Sequence, residues 1–159
     1  MKKLIILAAA LIIAVIVCGC GEAASPAPEN VSLEAVMNSI KEQITMSDDM
    51  MTVSDSSKLL DYYGIDSSMV EDFQVMMNSS GVEQDEIVMI KAASDDAAKE
   101  ISDKLNARLE DKKSQMKNYI PEQYAMLEKC SVQQKGLYVY MFLSESAETM
   151  ESIFDSYFG

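Results

Sequence analysis

Two short apolar runs constrain the fold of this chain more than any other feature. Residues 86–92 (EIVMIKA) hold Ile87-Val88-Met89-Ile90 without a polar break, and residues 137–144 (LYVYMFLS) form the strongest strand signal in the chain. Runs of this length, rich in β-branched and aromatic residues, form buried strands. Each has a partner on its N-terminal side. Residues 70–77 alternate in part, with Phe73, Val75 and Met77 on one face, and reach the first run through Asn78-Ser79-Ser80-Gly81, which is turn chemistry. Residues 131–134 reach the second run through Lys135-Gly136. Two β-hairpins are expected.

Helices fill the intervals. Ser32 caps a helix whose stripe is Leu33, Val36, Met37, Ile40 and Ile44, a helical spacing that should end near Met46. Asp48-Asp49-Met50-Met51 reads as a loop. A short helix through Leu59, Leu60, Tyr62 and Tyr63 stops at Gly64. The longest helix opens at Ser94-Asp95-Asp96 and carries Ala97, Ala98, Ile101, Leu105, Leu109 and Met116 as its stripe. Asp95 and Asp96 suit its N-terminus, and Lys112, Lys113 and Lys117 its C-terminus. Pro121 starts a further short helix. Ser146 caps the last one, through Met150, Ile153, Phe154, Tyr157 and Phe158. The expected fold class is α+β: a four-stranded antiparallel sheet of two hairpins with helices packed on one face, plus an N-terminal helical pair. Strand, Ser-Asp-Asp, helix in one half and strand, Ser-Glu-Ser, helix in the other suggest a ββα–ββα repeat.

The N-terminus says where such a domain is held. Lys2-Lys3 precede 14 uncharged residues, 4–17, the layout of a secretory signal. That run is short of the roughly 20 residues a membrane span needs. It ends in Val17-Cys18-Gly19-Cys20, which resembles the bacterial lipobox: an apolar residue, a small one, then Gly before the modified Cys. By that resemblance Cys20 becomes the first residue after cleavage and takes a diacylglycerol. Residues 21–30 (GEAASPAPEN) are small, polar and Pro-containing and read as a flexible tether. The expected organisation is a signal peptide at 1–19, the lipidated Cys20 with its tether at 20–31, and one extracytoplasmic domain at 32–159. The chain is then anchored on the extracytoplasmic face of the cell membrane.

Acidic residues outnumber basic ones by 26 to 13, and two of the basic residues, Lys2 and Lys3, leave with the signal, so the mature body carries about −15. Such a body is repelled by anionic lipid and by nucleic acid. This argues against nucleic acid as a partner and leaves lipid at Cys20 as the membrane contact. Cys130 is the only thiol remaining after processing, so no intramolecular disulfide forms. With no His in the chain it has no base to act as a nucleophile, and a buried apolar role is expected.

The body also resembles a family of uncharacterised lipoproteins from Gram-positive anaerobes that carry a domain of unknown function. Four motifs bear the resemblance: Asp85-Glu86-Ile87, Arg108-Leu109-Glu110, Tyr119-Ile120-Pro121-Glu122-Gln123-Tyr124 and Lys135-Gly136-Leu137-Tyr138-Val139. It covers roughly residues 33–158. It implies a lipobox and one extracytoplasmic domain, and it implies no activity and no catalytic residues.

No catalytic, cofactor or metal motif stands out in the sequence. Arg108 is the only Arg and borders the apolar stripe of the long helix, three residues after Leu105. A guanidinium beside a core needs a carboxylate, and Glu86 on the sheet is the expected partner in a structural ion pair. A ligand-carboxylate or phosphate site is the alternative use of Arg108. The acidic pairs Asp48-Asp49, Asp85-Glu86, Asp95-Asp96 and Glu110-Asp111 lack calcium-loop spacing and read as solvated surface. Met46, Met50 and Met51 cluster within 13 methionines and are expected to fill core, with soft-metal binding the alternative. Tyr138 and Tyr140 share one face of a strand, which is either core or an open binding surface. These features lead to a membrane-anchored binding or accessory module of the cell envelope, with no cofactor, whose partner is an envelope protein or a small ligand. The alternatives are a carboxylate-dependent cell-surface enzyme and a passive envelope interaction protein.

Overall fold

A computed structural model describes residues 30–159. The signal segment, Cys20 and the tether up to residue 29 lie outside the described residues. The helices are α1 (Leu33–Gln43), α2 (Ser57–Tyr63), α3 (Asp95–Met116), α4 (Pro121–Leu127) and α5 (Ala147–Ser156), and a single 3-10 turn spans Ser67–Met69. The strands are β1 (Met50–Val53), β2 (Val70–Asn78), β3 (Glu86–Ala92), β4 (Val132–Lys135) and β5 (Tyr138–Leu143). They form one antiparallel sheet in the order β1-β2-β3-β5-β4.

The sheet therefore has five strands, not four. Met50-Met51, expected in a loop, begins edge strand β1, which pairs Met50 with Asn78 and Val53 with Val75. Several local expectations have clear physical counterparts. The Ser32 hydroxyl accepts from the Ala35 N–H and the Ser94 hydroxyl from the Ala97 N–H, each satisfying an orphan donor of a helix start. Gly64 ends α2 in the left-handed conformation, φ 67°, that a side chain would resist. Ser146 precedes α5 without a side-chain capping bond.

Every residue of β3 and of β5 is buried. A strand with no exposed face needs cover on both sides. The helices accordingly lie on both faces of the sheet, and the expectation that they share one face fails. Val88, Ile90, Val139 and Met141 point to the α3 side, because Glu86, in phase with them, bonds Arg108 and Lys112 of α3. Ile87, Met89, Tyr140 and Phe142 point the other way. There Phe154 of α5 lies 4.0 Å, ring centroid to centroid, from Tyr140 and 6.2 Å from Phe142. Helix α1 joins α5 on that side: the Ser39 and Tyr157 hydroxyls are 2.6 Å apart, and the Val31 N–H donates to the Tyr138 hydroxyl at 2.8 Å.

Of the two uses left open for Tyr138 and Tyr140, the core one holds: they lie beneath α5, 2% and 4% exposed. The expected ββα–ββα repeat, in contrast, has no rotational counterpart. A two-fold axis relating antiparallel neighbours β3 and β5 runs perpendicular to the sheet and would leave α3 and α5 on the same side. The N-terminal helices likewise separate: α1 packs on α5 and β2, and α2 on α3.

Phe154 is fully buried and touches Tyr140, Phe142 and Phe158. Phe154→Ala should cost about 3–5 kcal/mol through lost burial and the cavity left behind. Denaturant unfolding checks this, and a loss under about 1 kcal/mol would mean α5 does not cover the sheet.

Candidate functional site

The start of β3 places two adjacent carboxylates on opposite faces of the sheet. Alternation along a strand forces this. Glu86 turns toward α3 and Asp85 toward the α1/α5 side, and their surroundings differ.

Glu86 is fully buried. Arg108 Nη2 donates to its Oε2 at 3.0 Å and Nε to its Oε1 at 3.3 Å, so the guanidinium grips both oxygens. Lys112 Nζ sits 2.9 Å from Oε2 and donates to Gln84 Oε1 at 3.0 Å. The structure thus brings Arg108 and Glu86 together and adds Lys112, which sequence reasoning used only as a helix-end charge. The signal was present: Arg108 and Lys112 are four residues apart and share one helical face. The ring of Tyr63, at the end of α2, lies 5.3 Å from the Arg108 guanidinium carbon. Its hydroxyl is buried beside Glu86 without a hydrogen bond of good geometry among the described residues. Burial, then the Glu86 charge, raise the Tyr63 phenol well above its ordinary range, so it stays neutral.

A shallow depression beside Arg108 and Lys112 is also lined by Glu83 and Asp111. With Glu86 counted, acidic and basic groups there offset one another, which leaves no positive site for an anion. The cluster is a buried ion network that joins α3 and α2 to the sheet.

Asp85 opens into a cavity of about 250 Å³ at the end of the sheet. The loop after α1 supplies Ile44, Thr45, Met46 and Ser47; the strands and α5 supply Met50, Ile87, Leu143, Ser144 and Met150; Glu83 and Gln123 complete it. No lining residue is basic. Asp85 is half-buried, so the reading of Asp85-Glu86 as solvated surface is wrong for both members. Desolvation raises the Asp85 carboxyl above its ordinary value of 3.8, against a hydrogen bond from Ser144 that lowers it. Met46 and Met50 line this cavity with Met150, whereas Met51 is 38% exposed.

The loop that carries these carboxylates is pinned. The Gln84 N–H donates to Gln123 Oε1 of α4 at 2.8 Å, and the Gln84 side chain receives Lys112. Asn78 Nδ2 donates to Glu83 Oε2 at 2.8 Å. Buried Gln84, 6% exposed, thus fixes the loop between the ion network and the cavity. No linear pattern marks Gln84, whose partners come from two different helices.

The remaining candidates are structural. The Cys130 thiol is buried and contacts the Met126 carbonyl oxygen at 3.3 Å, and burial raises its pKa. Among the described residues no group of three or more His, Cys, Asp or Glu is placed to hold a metal ion, and no helix is long and apolar enough to cross a membrane.

A family profile matches residues 32–144. The chain belongs to DUF4358, a domain of unknown function. No curated protein and no solved structure matches it. The region matched to DUF4358 contains Tyr63, Gln84, Asp85, Glu86, Arg108 and Lys112, while α5 follows it.

Removing one partner of a buried ion pair costs about 3–5 kcal/mol. Glu86→Ala, which leaves Arg108 and Lys112 facing each other, should lose that much in denaturant unfolding. Tyr63→Phe should be neutral or stabilising, because it deletes an unsatisfied buried hydroxyl. A large loss in Tyr63→Phe would show that the hydroxyl holds the network together.

Asp85 carries the opposite sign. Its folded carboxyl binds a proton more readily than its unfolded one, so ionisation weakens the fold as pH rises. Asp85→Asn should raise the thermal midpoint at pH 7. That gain should shrink as pH falls through the raised folded pKa and vanish below the ordinary value of 3.8. A gain constant down to pH 3 would remove desolvation of Asp85 as its cause.

Proposed function

We propose that this chain is a lipid-anchored, extracytoplasmic binding module of the cell envelope, with the cavity at the sheet end as its ligand site. One observation carries the binding part of the reading. The cavity combines an apolar floor of Ile44, Met50, Ile87 and Met150 with a few convergent polar groups at Asp85, Ser144 and Gln123. A few polar groups converging beside apolar side chains is how a small-molecule site fixes the orientation of its ligand. Its volume of about 250 Å³ suits a small ligand. Pinning of the 79–85 loop by Gln84 supports the reading, since a preformed site loses less on binding than a mobile one.

Location rests on Val17-Cys18-Gly19-Cys20 and on the charge of the body. A single acyl chain gives only reversible attachment, and two or more hold a protein firmly. An acidic body adds nothing to that attachment, so lipid at Cys20 is its sole membrane contact. The bacterial source rests on the same lipobox pattern and the Gram-positive setting on the motifs of the body, and both belong to this proposal.

Native mass spectrometry of the full chain purified from its own membranes tests both parts. The expected species begins at Cys20 with added acyl mass and carries a small molecule that the cavity-filling variant Met46→Trp loses. Cys20→Ala should be released or left unprocessed. Firm membrane retention of a cleaved Cys20→Ala chain would overturn the anchor, and the same bound mass in Met46→Trp would overturn the site.

A further inference from the structure

We propose that the sheet-end cavity selects a small amphipathic organic cation: a primary ammonium group on an apolar body of about ten non-hydrogen atoms. The inference rests on the ligand-site reading above and names the chemistry of its occupant. Size comes first. A cavity of roughly 150 Å³ accommodates benzene, so one of about 250 Å³ takes a ligand somewhat less than twice as large.

Charge decides the rest. Asp85 and Glu83 are the ionisable groups of the lining, and both are acidic. Glu83 already accepts from Asn78 and is held in place. Asp85 is half-buried, with the Ser144 hydroxyl beside it and no basic side chain in the lining. An anionic ligand would meet two carboxylates. A neutral apolar ligand would complete the desolvation of Asp85 and return no donor, and an ionised group left so costs more than an ordinary unpaired one. An ammonium group supplies the opposite charge and further N–H donors beside the one hydroxyl that Ser144 offers. Burial already raises the Asp85 carboxyl, and a bound cation would act in the opposite direction.

The floor fits the apolar end of such a ligand. Ile44 and Ile87 are branched aliphatics, and Met46, Met50 and Met150 are flexible, polarisable thioethers that adapt to ring edges. The same thioethers are soft-metal donors. A bare ion fits the space poorly, however, because a shell of donors around one ion needs far less room than this cavity offers.

Isothermal titration of the full chain in zwitterionic lipid nanodiscs, against empty nanodiscs, tests the proposal with three probes of one shape: 2-phenylethylamine, 2-phenylethanol and 3-phenylpropionate. The amine should bind one to one at pH 7, at least tenfold more tightly than the alcohol, with no binding of the carboxylate. Asp85→Asn should weaken the amine at least tenfold and leave the alcohol unchanged, and Met46→Trp should abolish both. Amine affinity should fall as pH drops toward the Asp85 titration range. Equal affinities for amine and alcohol would overturn the cation inference and leave the cavity standing as a ligand site. Binding of the amine that survives Met46→Trp would place it elsewhere and overturn the inference. Failure of all three probes would overturn the proposed occupant class, and a different bound molecule in the native mass spectrum would then keep the site itself.

Discussion

A carboxylate opens the middle strand of a sheet whose central strands meet no water. Glu86 is fully buried on β3, and the cost of placing an ionised group there is several kcal/mol before it is paired. Arg108 and Lys112 offset that cost only if α3 lies across β3 at one rotation and one height, because both heads must reach the same carboxylate. Hydrophobic contacts alone would hold α3 on the sheet with some freedom to slide or roll. The ion network removes that freedom. Through Gln84 it fixes the β2–β3 loop as well, and through the stacking of Tyr63 on Arg108 it sets the end of α2.

The other face is held by different means. There Phe154 lies among Tyr140, Phe142 and Phe158, and hydroxyls of Tyr138 and Tyr157 reach Val31 and Ser39. This layer is apolar with polar tips, the usual way for tyrosine to be buried. Lys91, at the far end of β3, follows the same logic: its stem is buried and its ammonium reaches Glu71 at the edge, 2.6 Å away. The two charges of β3 therefore lie at opposite ends and on opposite faces, with the apolar run between them.

Much of this was legible in the sequence, and the misses share one cause. Helical stripes such as Leu33, Val36, Met37 and Ile40 are local patterns, and they lie where spacing puts them. Strand β1 is only MMTV, with no alternation to reveal it, and exists through its pairing with β2 some 25 residues on. The side of the sheet on which α5 lands is also not a local property. The unbroken run Tyr138-Val139-Tyr140-Met141-Phe142-Leu143 nevertheless implied two covering layers, since a one-sided strand would alternate with polar residues. Arg108 was findable because it is the lone guanidinium beside an apolar stripe. The cavity was not, because its walls come from five separate segments, and the thioethers of Met46, Met50 and Met150 meet only after folding.

The link between fold and site is strand register. Asp85 immediately precedes Glu86, the first residue of β3, so an arrangement that sends Glu86 to α3 sends Asp85 to the cavity. A slip of one residue would exchange them. Asp85 would then face Arg108 and Lys112 on a shorter side chain, and Glu86 would enter the cavity on a longer one. Ile87, Met89 and the rest of β3 would change faces with them, against the aromatic layer on one side and α3 on the other. The ion network thus does for the cavity what a binding residue cannot do for itself. It spends a buried charge to fix which carboxylate the ligand meets, and the Gln84 tether keeps the carboxylate-bearing loop from relaxing away from that register.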